Sequence, residues 1–407
     1  MTPTSSRIPA PVERPLRIAH LADTHLGYSM YGKADPGSGR NQRAVDIERS
    51  FAAAIDDILT RDVDLVLHAG DVFHHTRPSW TTLAHFVRQM RRLEERAIPA
   101  VVIAGNHDTP RLRTTGSVYR LLELTLPLVK FITGYEVEEQ LYPELGVLVH
   151  GVPHGAHTNP DPPALLLDRA LRNIVVSHGT AQGFEKMAGH EPGEIKLRGN
   201  VLDSEFAYVA LGHIHQRNQV SINAWYSGST ERTSWGDQEA EPGYAVVTLG
   251  EPGSVPQVEF RDIAARPMLT LNPIDGAERT AEDLAAMILE RAGALDMPEA
   301  MMRVQLDHAP RPLFRETDAL VRRQMGSVAW HIRLTAPGEL LDPLGRDGAS
   351  GLADLHPLTL FADFVRQREA AGAYEPAFAS AFRERGLQAL EEAIQRAQVQ
   401  SAVEGAS

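Results

Sequence analysis

The chain has 407 residues, 43% of them hydrophobic, and no cysteine. At ~100–200 residues per domain that length suggests two or three domains, and the missing Cys excludes disulfides, thiolate metal sites and a Cys nucleophile. Basic residues number 40 against 53 acidic ones, a net charge of −13, so a general basic nucleic-acid coat is excluded and any DNA contact must be local.

The chain opens on a polar, Pro- and Ser-rich stretch, Met1 to Val12, without the apolar region of a secretory signal. Residues 1–15 are expected to form a flexible leader. No apolar run approaches the ~18 residues of a membrane span; that and the absence of Cys fit a cytoplasmic protein with no membrane partner. Leu16 to Asp23 reads as the first strand, with Thr24-His25-Leu26-Gly27-Tyr28 as its loop. Asp23 and His25 are two apart, so an extended backbone would put both on one side. His20 lies inside the strand and reads as a satisfied core His. Residues 29–43 read as a surface loop, and Val45 to Leu59 as a helix with Ile47, Phe51, Ile55 and Leu59 at helical spacing.

The next apolar run, Val63 to Leu67, leads into Gly70-Asp71-Val72-Phe73-His74-His75-Thr76-Arg77-Pro78. A buried strand ending at Gly-Asp places Asp71 beyond a carboxyl end, where sites of open α/β sheets lie. Thr81 to Arg96 reads as a helix whose Arg88, Arg91, Arg92 and Arg96 form a solvated face. Pro99 to Ala104 is a strand running into Gly105-Asn106-His107-Asp108. These four suit a plain turn and equally an oxygen ligand beside a proton donor to a leaving group.

Strands are expected near Val147 to His150 and Asn173 to Val176, the latter running into Ser177-His178-Gly179. Between them 153–163 reads as a Pro-rich loop, and His150, His154 and His157, in loop-like sequence, carry no assignment. Tyr208 to Leu211 gives Gly212-His213-Ile214-His215, again two His that share a side if the backbone stays extended. Trp225 to Ser234 reads as a strand end plus a polar loop, followed by strands near 243–249 and 255–263. From Arg266 a β-α-β-α-β run without clustered ligands suggests a small second domain over 266–335. A Gly-, Pro- and Asp-rich linker over 336–357 follows, then two amphipathic helices within 358–398 that suit docking to a partner and equally packing back onto the protein itself.

Collected in order, Asp23, His25, Asp71, Asn106, His107, His178, His213 and His215 each follow an apolar run. Two Asp, one Asn and several His could hold two divalent ions with Asp71 bridging. Mixed nitrogen and oxygen donors suit Mn, Fe or Zn better than Mg or Ca. Two ions ~3.5–4 Å apart polarise a phosphoryl group and generate hydroxide at neutral pH.

These motifs resemble the calcineurin-like metallophosphoesterase superfamily: Asp-x-His, Gly-Asp, Gly-Asn-His-Asp, a lone His, and Gly-His-x-His. Within it the chain is similar to the SbcD nuclease family, prokaryotic relatives of the meiotic-recombination-eleven break-repair nuclease. The likeness covers residues 16–265 and rests also on Phe73-His74, Arg77-Pro78-Ser79 and Ser227 to Ser234. Thr230 stands where that branch more often has Ile.

The resemblance implies a four-layer-type α/β sandwich with a small α+β cap at 266–335 that meets DNA. It implies one metal on Asp23, His25, Asp71 and His215, a second on Asp71, Asn106, His178 and His213, and manganese as the metal. His107 would stabilise or protonate the departing 3′ oxygen, and His74 would position the phosphate. The function implied is a DNA exo/endonuclease of break repair, partnered by an SbcC-type ABC ATPase that the terminal helices would dock; a homodimer is left open. Two other readings stand beside it. One is a phosphodiesterase or phosphatase of small phosphoesters; the other is a scaffold that binds DNA and an ATPase without cutting.

Overall fold

The computed structural model describes residues 14–110, 112–188, 194–251 and 253–337, and positions 361, 365–366, 369, 377–378 and 380–388. The chain divides into two compact units, 1–337 and 338–407.

The first unit starts with β1 (Leu16–Leu21), α1 (Gln42–Ile58), β2 (Leu65–His68), α2 (Trp80–Glu94), β3 (Ala100–Ile103), α3 (Tyr119–Glu123) and β4 (Val129–Ile132). It continues with β5 (Glu138–Tyr142), β6 (Val147–Val152), α4 (His154–His157), β7 (Arg172–His178), α5 (Glu185–Ala188), β8 (Tyr208–Gly212), β9 (Asn218–Gln219) and β10 (Ala224–Tyr226). Next come β11 (Gly243–Leu249) and β12 (Gln257–Asp262), and the last part of the unit is β13 (Met268–Asp275), α6 (Ala281–Gly293), β14 (Met301–Asp307), α7 (Arg311–Gln324) and β15 (His331–Thr335).

Two six-stranded sheets form the body, in the orders β12-β11-β1-β2-β3-β4 and β5-β6-β7-β8-β10-β9. Strands β1 to β4 run parallel, as do β6, β7, β8 and β10, so their carboxyl ends open on common edges. The inner strands carry apolar side chains on both faces, as sheets covered on both sides require. Ile18, Leu67 and Val101 of the first sheet meet Val149, Ile174 and Ala210 of the second in one apolar layer. The outer face of the first sheet, with Ala19, Val66 and Val102, is covered by Ile47, Phe51 and Ile55 of α1 and by Phe86 and Met90 of α2. The outer face of the second sheet is covered by Ala156 of α4, Leu165 and Phe206. The sandwich therefore has a helical layer on one side and a largely irregular one on the other.

Several elements depart from expectation. Residues 153–163 contain the short helix α4, because Pro153 suits the residue ahead of a first helical turn and the backbone N–H of His154 finds the Ala104 carbonyl at 2.9 Å. His150 lies in β6, fully buried, not in a loop. Strands β4, β5 and β9 and helix α3 were not anticipated: β5 reads Glu-Glu-Gln at an edge, and β4 has only four residues.

The β13–β15 sheet is all parallel, in the order β13-β14-β15, with α6 and α7 packed on one face through Leu284, Ile288 and Val321. Each connection is a crossover helix, as parallel pairing demands. Thr280 caps α6 reciprocally with Asp283. Buried charges tie this part to the body. Arg266 forks onto Asp46 of α1 at 2.7 and 2.9 Å and reaches the Glu299 carboxylate at 2.9 Å. In the second unit the rings of Phe361 and Phe378 lie 5.4 and 5.5 Å from that of Phe382, and 380–388 is helical. Residues 1–13 of the leader, 338–357 of the linker and most of 358–398 lie outside the described residues.

Candidate metal centre

The loops after β1 and β2 run side by side. The N–H groups of Asp23, His25 and Leu26 donate to the carbonyls of Gly70, Asp71 and Val72 at 3.0, 3.0 and 2.8 Å. This zipper brings Asp23 and His25 to Asp71 by a different route from the one expected. Neither Asp23 nor His25 is extended; their φ angles are +52° and +45°, with Asp71 at +54° and His213 at +102°. Left-handed backbone outside Gly is uncommon, though Asp and His are enriched in it, and strained positions of this kind gather at functional sites. His213 and His215 likewise do not share a side through an extended strand, since β8 ends at Gly212. Gly105 makes room for the arrangement: a Cβ there would lie 2.1 Å from Asp71 Oδ1.

Asp23, His25 and Asp71 are each 1% exposed, His178 is fully buried and His213 is 6% exposed. Asn106, His107, His74 and His215 are half-buried at the rim. One donor atom each from Asp23, His25 and His215 lies within 4.8 Å of the other two, and the same holds for Asp23, Asp71 and His178 and for His25, His74 and His107. Asn106 Oδ1 sits 2.9 Å from His178 Nε2 and 3.2 Å from His213 Nδ1. Asp71 Oδ2 lies 3.5 Å from His178 Nε2 and 3.9 Å from His25 Nε2, between the two groups. All the residues read from the sequence as ligands or as catalytic therefore converge on one region.

The ring orientations suit cation binding. His178 Nδ1 is 2.8 Å from the Ala69 carbonyl, which can only accept, so this nitrogen carries the proton and Nε2 faces Asp71 and Asn106. His215 Nδ1 is 3.0 Å from Asp237 Oδ1, so it donates there and turns Nε2 toward His25 Nε2, 3.0 Å away. A carboxylate or carbonyl behind each imidazole is the outer arrangement that orients metal ligands. Electrostatics agrees. Burial works against a charge on Asp71, but the imidazoles of His178, His107 and His25 hold its pKa well below the carboxylate range. Burial also opposes a proton on His178, yet Asp71 and Asp23 outweigh it and raise its pKa to about 9. Burial lifts Asp23 to about 6 against the pull of His178 and His215. The donor set fits divalent cations.

Sequence reasoning missed Asp237. Its Oδ2 accepts from the N–H groups of Thr233 and Ser234 at 2.9 Å each and from the Thr233 hydroxyl at 3.0 Å. The signal was present, since Ser234 and Asp237 form a capping box, readable as Ser-x-x-acid. Asp108 also had no role beyond its motif. It accepts from Gly105 N–H at 2.6 Å, Tyr119 O–H at 2.5 Å and Phe73 N–H at 3.4 Å, pinning two site loops together. Phe73 itself is a core residue, 5.4 Å ring to ring from Phe86. His20 is fully buried with Nδ1 2.8 Å from the Tyr208 hydroxyl. His150 and His157 bond Asn173 and Ser177 at 3.1 and 2.9 Å, and neither they nor His154 belongs to the clusters found among the described residues.

The chain belongs to the calcineurin-like phosphoesterase family, whose model matches residues 16–217. It is similar to proteins named DNA double-strand break repair protein Mre11. That of Haloferax volcanii is 29% identical over 301 residues, covering 71% of this chain and 61% of its own. That of Methanocaldococcus jannaschii is 30% identical over 273 residues, covering 63% and 69%, and that of Sulfurisphaera tokodaii 29% over 215 residues, covering 51% of each. The chain thus spans roughly half to two thirds of these relatives' lengths. A solved dimetal phosphatase from Danio rerio matches at 14% identity over 62% of this chain and 98% of its own, with a TM-score of 0.35.

Proposed function

We propose that the chain is a manganese-dependent DNA exo/endonuclease of double-strand-break repair. The observation that carries the reading is the convergence of His25, Asn106, His178, His213 and His215 around two buried carboxylates, Asp23 and Asp71. Asp23, His25, Asp71 and His215 would hold one cation, and Asp71, Asn106, His178 and His213 the other. Such a pair supplies Lewis acidity toward a phosphoryl oxygen and acidifies a water to near neutral pH.

The remaining work falls to the chain. His107 Nδ1 donates to the His74 carbonyl at 3.1 Å, so the ring would act through Nε2, delivering a proton or positive charge to the departing 3′ oxygen. His74 stacks on it at 4.8 Å and would position the phosphate. The N–H of His107 donates to Asp71 Oδ1 at 2.9 Å, which ties the acid to the bridging carboxylate. Residues 266–335 would serve as a cap that meets DNA. The segment 358–398, largely outside the described residues, would dock an SbcC-type ABC ATPase.

The net charge of −13 favours a second reading, a phosphodiesterase of small phosphoesters, which needs no polyanion groove. The purified chain with Mn²⁺ on linear DNA, and in parallel on a chromogenic phosphodiester, separates the two. Cleavage of both supports the nuclease, the small ester alone supports the second reading, and neither leaves a non-cleaving scaffold.

A further inference from the structure

The turn that aims His215 is built from two sides. On the site side, Asp237 faces His215 with one oxygen and caps Thr233 and Ser234 with the other. On the far side stands Trp235, 4% exposed, packed with Met268 of β13 and Met301 of β14. The Arg303 guanidinium lies 5.0 Å from the centroid of its ring. No acceptor among the described residues reaches its indole nitrogen, so packing holds the ring.

The start of the loop is anchored in the same direction. Glu231, 2% exposed, accepts from the Arg266 N–H and from the Ser50 hydroxyl of α1 at 3.2 Å each. Arg232 reaches the Arg266 carbonyl at 3.3 Å. Trp235 and Asp237 share a single 3-10 turn, closed by the reciprocal Ser234–Asp237 cap. A shift of the indole cannot be absorbed within so short a turn before it reaches the carboxylate.

We propose that Trp235 is a positioning residue for the metal centre. Seated on the Met268 and Met301 side chains, it fixes the turn whose Asp237 aims His215. The placement of the β13–β15 part is thereby read at the metal position that uses His215. At the other position His178 takes its orientation from the Ala69 carbonyl inside the body, without Asp237 or Trp235. A ligand or partner that moves the β13–β15 part would then retune one metal position and spare the other. The inference rests on the two-metal reading above.

The test is a calorimetric Mn²⁺ titration of the full chain, wild type and variants, resolving two binding events. Wild type must show both; if it does not, the two-metal reading fails at that point, and this inference falls with it. Asp237→Asn sets the scale, since loss of an outer partner weakens a metal ~10–100-fold. Trp235→Ala should weaken one event about tenfold and leave the other unchanged, and Trp235→Phe should restore it. Met301→Ala approaches the same contact from the other side and should give the same selective loss, which covers the case of a Trp235→Ala chain that does not fold. Two unchanged affinities, or two that fall together, would overturn the proposal while leaving the two-metal reading intact.

Discussion

The four site residues with positive φ show how a residue can be legible in kind and illegible in placement. Asp23, His25, Asp71 and His213 stood out in the sequence as Asp-x-His, Gly-Asp and Gly-His-x-His. The expected extended backbone is absent: at Asp23 and His25 the zipper to the Asp71 loop goes with a left-handed conformation, and at His213 the N–H turns instead to the Asp23 carboxylate at 3.0 and 3.1 Å. No local propensity encodes that; the partner strand does. His107 illustrates the converse, a residue beside a ligand whose own position points to chemistry. His107→Ala is expected to lower hydrolysis by ~10²–10⁴ while two metals stay bound, measured by turnover and metal content on one sample. Metal lost along with activity would make His107 a ligand instead. The proton on His178 gives a second expectation. With its pKa raised to about 9, metal must displace that proton at neutral pH, so apparent Mn²⁺ affinity rises as pH climbs toward about 9 and falls as pH drops. Titrations in buffers of different ionisation enthalpy should register the proton released; a pH-independent affinity would contradict the assignment.

Among the elements, those with strong periodicity were read well and those shaped by tertiary context were not. Helix α1 shows Ile47, Phe51 and Ile55 on the face that meets the sheet, as their spacing predicts. Strand β5 has no such pattern, because an edge strand carrying Glu138, Glu139 and Gln140 needs only one apolar side. The split into two sheets was hidden in the strand pattern, since strands of both are apolar on both faces, and was implied only by the family resemblance. Most hidden were the long-range charges. Arg43, Asp46, Glu231 and Arg266 are buried together from three distant stretches. Breaking such a pair by removing one partner strands the other charge, a loss of ~3–5 kcal/mol. Arg266→Ala leaves Asp46 with Arg43 at 2.8 Å, so the unfolding free energy from urea denaturation should fall by an amount at the lower end of that range, ~3 kcal/mol. Arg266→Ala together with Asp46→Ala should be less harmful than the sum of the two single changes, and full additivity would show that the pair is not coupled.

For the whole molecule, the division at Pro337 matters most. The first unit holds its own apolar layers and all the converging site residues. A chain ending at residue 337 is therefore expected to stay folded, bind Mn²⁺ as the full chain does and cleave a small phosphodiester at the same rate. If 358–398 docks the proposed ATPase, the shortened chain should no longer co-purify with it; retained binding would place the docking surface elsewhere. The order of motifs along the chain was legible because each candidate ligand follows a buried strand, whereas the attachment of the β13–β15 part through Arg266 and Trp235 has no local signature. The central claim is that seven residues hold two cations with Asp71 between them. Anomalous scattering from crystals grown with Mn²⁺ tests it most directly. The account predicts two peaks ~3.5–4 Å apart, both ligated by Asp71, with His215 on one and His178 on the other. A single peak, or two without Asp71 in common, would contradict it.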